Sequence, residues 1–193
     1  MKLLLPILLL ALLLCSSCDT PEATPAGERQ KKGSEPQPSR STGIWENGSF
    51  VDELGVTADR PCIRSRGSIT GSFSNSVTPH SPLNVTFLVF GPNGISLQLF
   101  ENGGKDPVKA LTPVSYTVTI VDADGNPHKV KAMNTSDKIV FERTDAKAVH
   151  DVLMKGGKIR FSIANDFNPA VQYEFTIDNA TGYDAAFKTM IEK

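Results

Sequence analysis

The sequence predicts a mainly β fold, an antiparallel β-sandwich or partly closed barrel with one short internal helix and one C-terminal helix. Residues 116–120, 159–163 and 171–177 alternate apolar and polar side chains with a period of two. This alternation is typical of strands that have one face in a core and the other in water, as in antiparallel sheets. Residues 91–94 and 124–127 have the composition and length of tight hairpin turns.

Five further stretches have strand character. They are residues 69–74, 85–90, 95–100, 128–132 and 138–142. The second of these is apolar on both faces, which is typical of a central strand. Because short turns join consecutive strands, we expect neighbours in sequence to pair as a meander.

Two segments have helical spacing instead. Residues 144–154 place four apolar side chains on one helical face, with Thr144 as the candidate N-cap and Gly156-Gly157 as the stop signal. Residues 184–191 place Phe187 and two further apolar residues on one face. We expect both helices to cap or flank the sheet.

The N-terminus predicts export from the cytoplasm. Lys2 is followed by an apolar run over residues 3–14. A transmembrane helix needs about 20 apolar residues, so this run has the length of a signal-peptide core. We therefore predict that residues 1–17 are a signal peptide.

Cys18 is the predicted lipidation site. It follows Ser16 and Ser17, and small residues before a cysteine resemble a bacterial lipobox, although Cys15 stands where that motif usually has Leu. Acylation, for example with palmitate, would anchor the protein in a membrane, because each buried methylene contributes about 0.8 kcal/mol. The expected location is the bacterial cell envelope, at the outer membrane or the periplasmic face of the inner membrane.

The remaining chain divides into a tether and a domain. Residues 18–43 are rich in Pro and polar residues and contain no aromatic residue, which predicts a disordered tether behind the lipidated cysteine. Residues 44–193 contain every Phe, Tyr and Trp of the chain and predict a single β-rich domain.

The net charge argues against a nucleic-acid partner, and the cysteine content argues against a stabilising disulfide. Without the signal peptide, 19 basic residues stand against 21 acidic ones, a net charge of −2. A nucleic-acid partner would require a basic surface, so none is expected. Cys62 is the one cysteine that remains in the domain, so an intramolecular disulfide is excluded and stability must come from the apolar core.

No pattern in the sequence predicts a metal, a cofactor or a catalytic centre. Residues 122–126 alternate carboxylates as a calcium loop does, but Gly125 comes too early for that motif, and a hairpin turn explains the composition. The three histidines, His80, His128 and His150, lie far apart without zinc-site spacing. Cys62 has basic neighbours that could lower its pKa, although a half-buried structural thiol is the simpler interpretation.

Three stretches of the domain carry a family resemblance. They are residues 71–78 (GSFSNSVT), residues 154–158 with Phe161, and residues 172–187, which contain QYEFTIDNA and GY. These stretches resemble an uncharacterised family of small envelope lipoproteins from Gram-negative bacteria. The resemblance implies the envelope as compartment and a β-rich fold, and it implies no activity, ligand or site residue.

The sequence therefore favours a non-enzymatic binding or interaction module displayed on the envelope. Trp45 and the polar loop at residues 74–81, with Asn75, are the candidate contacts for an unknown protein or glycan ligand. One alternative is a small envelope hydrolase that uses Cys62 or scattered acidic residues. Another is a structural or assembly partner within a membrane complex.

Overall fold

The computed structural model describes residues 42–51 and 57–192. The predicted signal peptide, Cys18 and the predicted tether up to residue 41 lie outside these ranges. Within them the chain forms ten strands and two helices: β1 (Trp45–Val51), β2 (Thr57–Ser65), β3 (Ile69–Ser74), β4 (Ser81–Gly91), β5 (Gly94–Glu101), β6 (Val114–Val121), β7 (Pro127–Asn134), β8 (Ile139–Phe141), α1 (Arg143–Lys155), β9 (Ile159–Asn165), β10 (Gln172–Ile177) and α2 (Tyr183–Ile191).

Eight strands close into an antiparallel barrel. Their order is β4-β3-β10-β9-β6-β7-β8-β5, and β5 pairs again with β4. The pairing of β3 with β10 places Gly71 opposite Phe175 and joins two distant parts of the chain. β1 and β2 form a hairpin outside the barrel. This hairpin joins the barrel through β2, which pairs with β4 only at Ile63 and Arg64. The predicted fold class is confirmed, and the sheet takes the form of a closed barrel.

The barrel interior is filled by apolar side chains. Alternate residues of each strand point inward, as the period-two pattern requires. Phe161 stacks on Phe175 with ring centroids 4.7 Å apart, and Phe87 meets Phe161 edge to face at 5.5 Å. Such aromatic pairs stabilise a core beyond their burial of apolar area. The interior is therefore a packed core.

Part of the barrel wall is a helix. β8 is three residues long and pairs with Ala132–Asn134 of β7 and Ser96–Leu97 of β5. α1 begins two residues later and contacts the same two strands. Its buried face consists of Ala146, Val149, His150, Val152 and Leu153. The helix thus closes the stretch of wall that β8 is too short to close.

Trp45 joins α2 to the barrel. Its indole is fully buried, packs edge to face on Tyr183 of α2 at 5.0 Å, and meets Phe87 of β4 at 5.9 Å. The indole N–H donates to the Ala180 carbonyl over 3.0 Å. The chain enters the domain here, since Thr42 packs against Gly182 at the start of α2.

The barrel has two different ends. Because paired strands run antiparallel, four connections meet at the same end of the barrel, which we name the loop end. They are residues 75–80, 102–113, 135–138 and 166–171. The opposite end carries α2 and the turns after β4 and β6, and we name it the helix end. Thr42, the first described residue, lies at the helix end.

All eight predicted strands and both predicted helices form, most of them with shifted bounds. The predicted helices at 144–154 and 184–191 correspond to α1 and α2, although Glu142 and not Thr144 is the N-cap of α1. The meander prediction holds within β3–β5, β6–β8 and β9–β10, where consecutive strands pair. It fails between β5 and β6 and between β8 and β9, which do not pair. No helix in residues 42–51 or 57–192 is long and apolar enough to cross a membrane.

Candidate functional site

The loop end carries the three most exposed large apolar side chains in the described residues. Val77 is 85% exposed, Phe167 is 81% exposed and Leu111 is fully exposed. They belong to three different connections, which follow β3, β9 and β5. Isolated exposed apolar residues are ordinary, but a concentration at one end of a domain is typical of an interaction surface.

A short sequence pattern accompanies each of these residues. Each is followed by Thr or Asn and then by Pro, as Val77-Thr78-Pro79, Leu111-Thr112-Pro113 and Phe167-Asn168-Pro169. Proline fixes its own φ angle and restricts the residue before it to extended backbone. Each apolar side chain therefore stands on a segment with reduced conformational freedom, so less entropy is lost when a partner binds.

Asn75 fixes the first of these loops. Its side-chain oxygen accepts hydrogen bonds from the backbone N–H of Val77 over 2.9 Å and of Thr78 over 2.7 Å, and from the Thr78 hydroxyl over 2.9 Å. The Asn75 N–H donates to the Thr78 carbonyl over 3.1 Å. Asn75, a predicted contact residue, thus positions Val77.

Asn165 does the same in the second loop. Its side-chain oxygen accepts hydrogen bonds from the N–H of Phe167 over 2.9 Å and of Asn168 over 3.0 Å. Both loops share the spacing Asn, any residue, apolar residue, Thr or Asn, Pro. The Leu111 segment lacks this Asn, because Lys109 occupies the corresponding position. Two of the three apolar tips are therefore presented by the same local device.

The three segments are consecutive around the rim of the barrel. Ser74 and Ala164 lie on either side of Gln172, which places the Val77 and Phe167 loops side by side. The Asp166 N–H donates to the Ser115 carbonyl over 3.0 Å, which places the start of β6 next to the Phe167 loop. Below the rim, the Tyr173 hydroxyl donates to a Glu101 carboxylate oxygen over 2.9 Å. Burial of this hydroxyl, with Glu101 beside it, raises the pKa of Tyr173, so it stays protonated.

Trp45, the other predicted contact, lies on the opposite side of the domain. Its side chain is fully buried in the core near the helix end. The ring therefore has no exposed surface with which to contact a ligand. Of the two candidate contacts, the structure brings Asn75 into the loop end and leaves Trp45 among structural residues.

Residues 122–126 form a hairpin turn that is tied to α1. The buried Asp122 carboxylate accepts the N–H of Asn126 over 2.8 Å, lies 3.1 Å from His128 Nε2 and forms an ion pair with Lys155 Nζ at 3.0 Å. The Asn126 N–H, then His128 and Lys155, hold the pKa of Asp122 well below its usual range. In the described ranges, no three His, Cys, Asp or Glu side chains are grouped as metal ligands.

Cys62 and the histidines are not brought together. Cys62 is buried, and burial raises the pKa of its thiol more than Arg64 lowers it. His150 is buried between the helices, with its Nδ1 2.9 Å from the Tyr183 hydroxyl, and burial lowers its pKa. His128 belongs to the turn described above, and His80 lies in the Val77 loop.

A hydroxyl beside a lysine lies on the outer face of the barrel. Thr117 Oγ1 is 2.8 Å from Lys131 Nζ and donates to Asp166 Oδ1 over 2.7 Å. Lys131 also forms an ion pair with Asp166 at 3.0 Å. An ammonium group in an ion pair has no lone pair to accept a proton from Thr117, so this arrangement stabilises the surface and does not activate a nucleophile.

No family model, curated protein or solved structure matches this chain. The assignment of the loop end as a candidate interaction surface therefore depends on the geometry of the described residues alone. The sequence contained a signal for it, namely the threefold recurrence of a large apolar residue, Thr or Asn, and Pro. Each copy, taken alone, has the composition of an ordinary turn, so the sequence alone does not mark it as part of a binding surface.

Proposed function

We propose that this protein is a lipid-anchored, non-enzymatic interaction module of the bacterial cell envelope, which binds a partner protein through its loop end. The observation that carries the proposal is the exposure of Val77, Leu111 and Phe167 on three neighbouring, proline-restricted segments. The resemblance of residues 15–18 to a lipobox and the resemblance of the domain to envelope lipoproteins support the envelope as the compartment.

The charge of the loop end favours a protein over a lipid surface as the occupant. Its cations, Lys105, Lys109 and Lys138, are balanced by three acidic residues, Asp106, Asp137 and Asp166. Interfacial binding to anionic lipid uses an excess of Lys and Arg. Apolar anchors within a polar, charge-balanced rim are typical of protein–protein contacts instead.

The path of the chain also favours a partner on the far side of the domain. The described chain begins at the helix end, so an anchor at Cys18 would be joined to that end. The loop end lies at the opposite end of the domain from Thr42, the first described residue. Surface loops on a rigid scaffold are a common position for recognition.

Site-specific photo-crosslinking in the native envelope tests this proposal. A photoreactive residue replaces the exposed Thr135 at the loop end, in the natural chain and in a variant with Val77→Ser, Leu111→Ser and Phe167→Ser. We expect one protein adduct in the natural chain and its loss in the variant, because about 1 kcal/mol or more is lost at each apolar anchor.

A matched variant carries Met154→Ser and Ile191→Ser, the exposed apolar residues of the two helices. We expect it to keep the adduct. Adducts with lipid alone would refute the protein partner, and an equal protein adduct in the loop-end variant would show that the apolar tips do not bind it.

The anchor has its own test. Cells that express the full chain or its Cys18→Ala variant are labelled with radioactive palmitate, and we expect label only in the chain with Cys18. Retention of the label in the variant would refute acylation at this residue, whatever the crosslinking shows.

A further inference from the structure

A polar groove lies on the outer face of the barrel, away from the loop tips. It has a volume of about 520 Å³ and crosses strands β3, β10, β9 and β6. Small-molecule sites commonly have volumes of about 300–1,000 Å³. The groove is thus large enough for a ligand of two or three sugar units or an equivalent molecule.

Strand pairing arranges the groove side chains in registered rows. Glu174 lies opposite Ser72 on one side and Ser162 on the other, and Ser162 lies opposite Thr119. The next row contains Thr176 and Arg160. Adjacent strands are about 4.8 Å apart, so hydrogen-bonding groups repeat across the groove at this interval.

The side chains of these two rows have no hydrogen-bond or ion-pair partner within residues 42–51 and 57–192. They are Ser72, Thr119, Arg160, Ser162, Glu174 and Thr176. Gly71 lies between Thr70 and Ser72, and a Cβ at this position would come 2.1 Å from the Glu174 carbonyl oxygen. The missing side chain lets β3 approach β10 closely, which fixes Ser72 beside Glu174. The groove therefore holds free polar groups on a rigid backbone.

The lining determines the chemical class of ligand. The lining has five hydroxyls, those of Thr70, Ser72, Thr119, Ser162 and Thr176. Each can donate and accept a hydrogen bond, while Arg160 donates and Glu174 accepts. The charges of Arg160 and Glu174 cancel. The third charged residue of the lining, Asp178, has its Oδ1 3.6 Å from Lys158 Nζ, which offsets its charge. A neutral ligand that carries many hydroxyl groups can hydrogen-bond to all of these side chains. An anionic ligand would be repelled by Glu174, and a cationic ligand would be repelled by Arg160.

We infer that this groove binds a neutral oligosaccharide. The site is separate from the loop end, and the inference does not depend on the proposed protein partner. The outer wall of the groove presents no aromatic side chain for stacking against a sugar ring, because Phe161 and Phe175 are buried in the core. Affinity must therefore come from hydrogen bonds, and removal of hydroxyls is the direct test.

The experiment uses the ¹⁵N-labelled full chain in detergent micelles, titrated with maltotriose, cellotriose, mannotriose and chitotriose at millimolar concentrations. We expect at least one trisaccharide to shift the amide signals of Ser162 and Glu174. The variant Thr119→Val with Thr176→Val removes two hydroxyls but keeps shape and strand preference. Loss of two hydrogen bonds should weaken binding about tenfold.

Thr86→Val is the matched control, since Thr86 is a partly exposed residue of β4 outside the groove. It should leave the dissociation constant unchanged, as should the triple loop-end variant. The inference is overturned if none of the four sugars shifts these signals, or if the double Val variant binds as the natural chain does. Shifts produced only by inorganic phosphate or by a capped Ser-Gly-Ser peptide would also overturn it.

Discussion

At the scale of single residues, the same residue types have different roles that depend on their surroundings. Asn75 and Asn165 both use a side-chain oxygen to hold two backbone N–H groups, so each fixes the direction of an apolar neighbour. Trp45 and Phe167 are both large aromatic residues, yet the first is fully buried and the second is 81% exposed. Burial therefore separates structural residues from candidate contacts.

Trp45→Phe should reduce the free energy of unfolding by about 2 kcal/mol. The change removes packing volume beside Tyr183 and leaves the buried Ala180 carbonyl without its indole donor. Urea denaturation followed by circular dichroism measures the effect. Phe167→Leu is the control and should change stability by no more than about 0.5 kcal/mol. Similar losses in both variants would contradict the assigned role of Trp45.

The Cys62 thiol should react slowly in the folded protein. Its burial raises the pKa and shields the sulfur, so little accessible thiolate exists near neutral pH. We expect alkylation by iodoacetamide to be about tenfold or more slower in buffer than in urea. Peptide-resolved mass spectrometry separates Cys62 from the other cysteines. Rapid labelling of the folded chain would instead favour the hydrolase alternative.

At the scale of elements, α1 connects parts of the fold that the sheet leaves apart. It closes the wall beside β8, is tied to the β6–β7 turn through Lys155 and Asp122, and packs on α2 through His150. The His150 ring contacts Tyr183 and lies 4.5 Å from the Phe187 ring centroid. A charge on His150 would therefore be poorly solvated.

The contact between α1 and α2 should weaken as the pH falls below about 6.5. Burial lowers the pKa of His150 below the ordinary histidine value of about 6.5, and Asp151 and Lys147 have smaller, opposed effects. The unfolded chain then binds a proton before the folded chain does, so stability is complete above pH 6.5 and is lost as the pH falls toward the folded pKa. Urea midpoints measured from pH 8 to pH 5 should reveal this loss.

His150→Gln should flatten this part of the pH profile, because the titrating group is removed. His80→Gln, which changes an exposed histidine of the Val77 loop, is the matched control variant. Asp122 does not contribute to the change in stability between pH 8 and pH 5. Its pKa is lower in the folded chain, so the stability that it provides is lost only when the pH falls below the ordinary pKa of Asp. An unchanged slope in His150→Gln would contradict the prediction.

The elements that the sequence predicts are those with local patterns. β6, β9 and β10 alternate clearly, and α1 has helical spacing that ends at glycine. β1 and β2 were missed because Asn47-Gly48 in one resembles a turn and Pro61 in the other opposes a strand assignment. Pro61 is tolerated because β2 pairs with β4 only at Ile63 and Arg64, beyond the proline.

At the scale of the whole molecule, closure of the barrel is the property that no local pattern encodes. The sequence shows that strands exist, but the pairing of β3 with β10 depends on how all the intervening strands follow one another. The loop end also depends on closure of the barrel, which brings its connections together. A lone Val, Leu or Phe in a loop cannot be distinguished by sequence from Val108, which packs against the core.

Removal of β10 should abolish folding. A chain that ends at Val171 lacks β10 and also α2, leaves β3 and β9 with unpaired edges and exposes the apolar interior. We expect no cooperative thermal transition by circular dichroism and strong binding of the dye ANS. A chain that ends at Met190 loses only the exposed end of α2 and should unfold cooperatively. A cooperative transition in the shorter chain would show that closure is dispensable.

The pairing of β3 with β10 also determines when the domain can fold. About a hundred residues separate Gly71 from Phe175, so the ring cannot close until nearly the whole chain has been synthesised. Contacts between such distant residues form slowly. For the exported protein that we propose, this delay is useful, because a polypeptide that threads through a secretion channel must stay unfolded until its last strand has crossed.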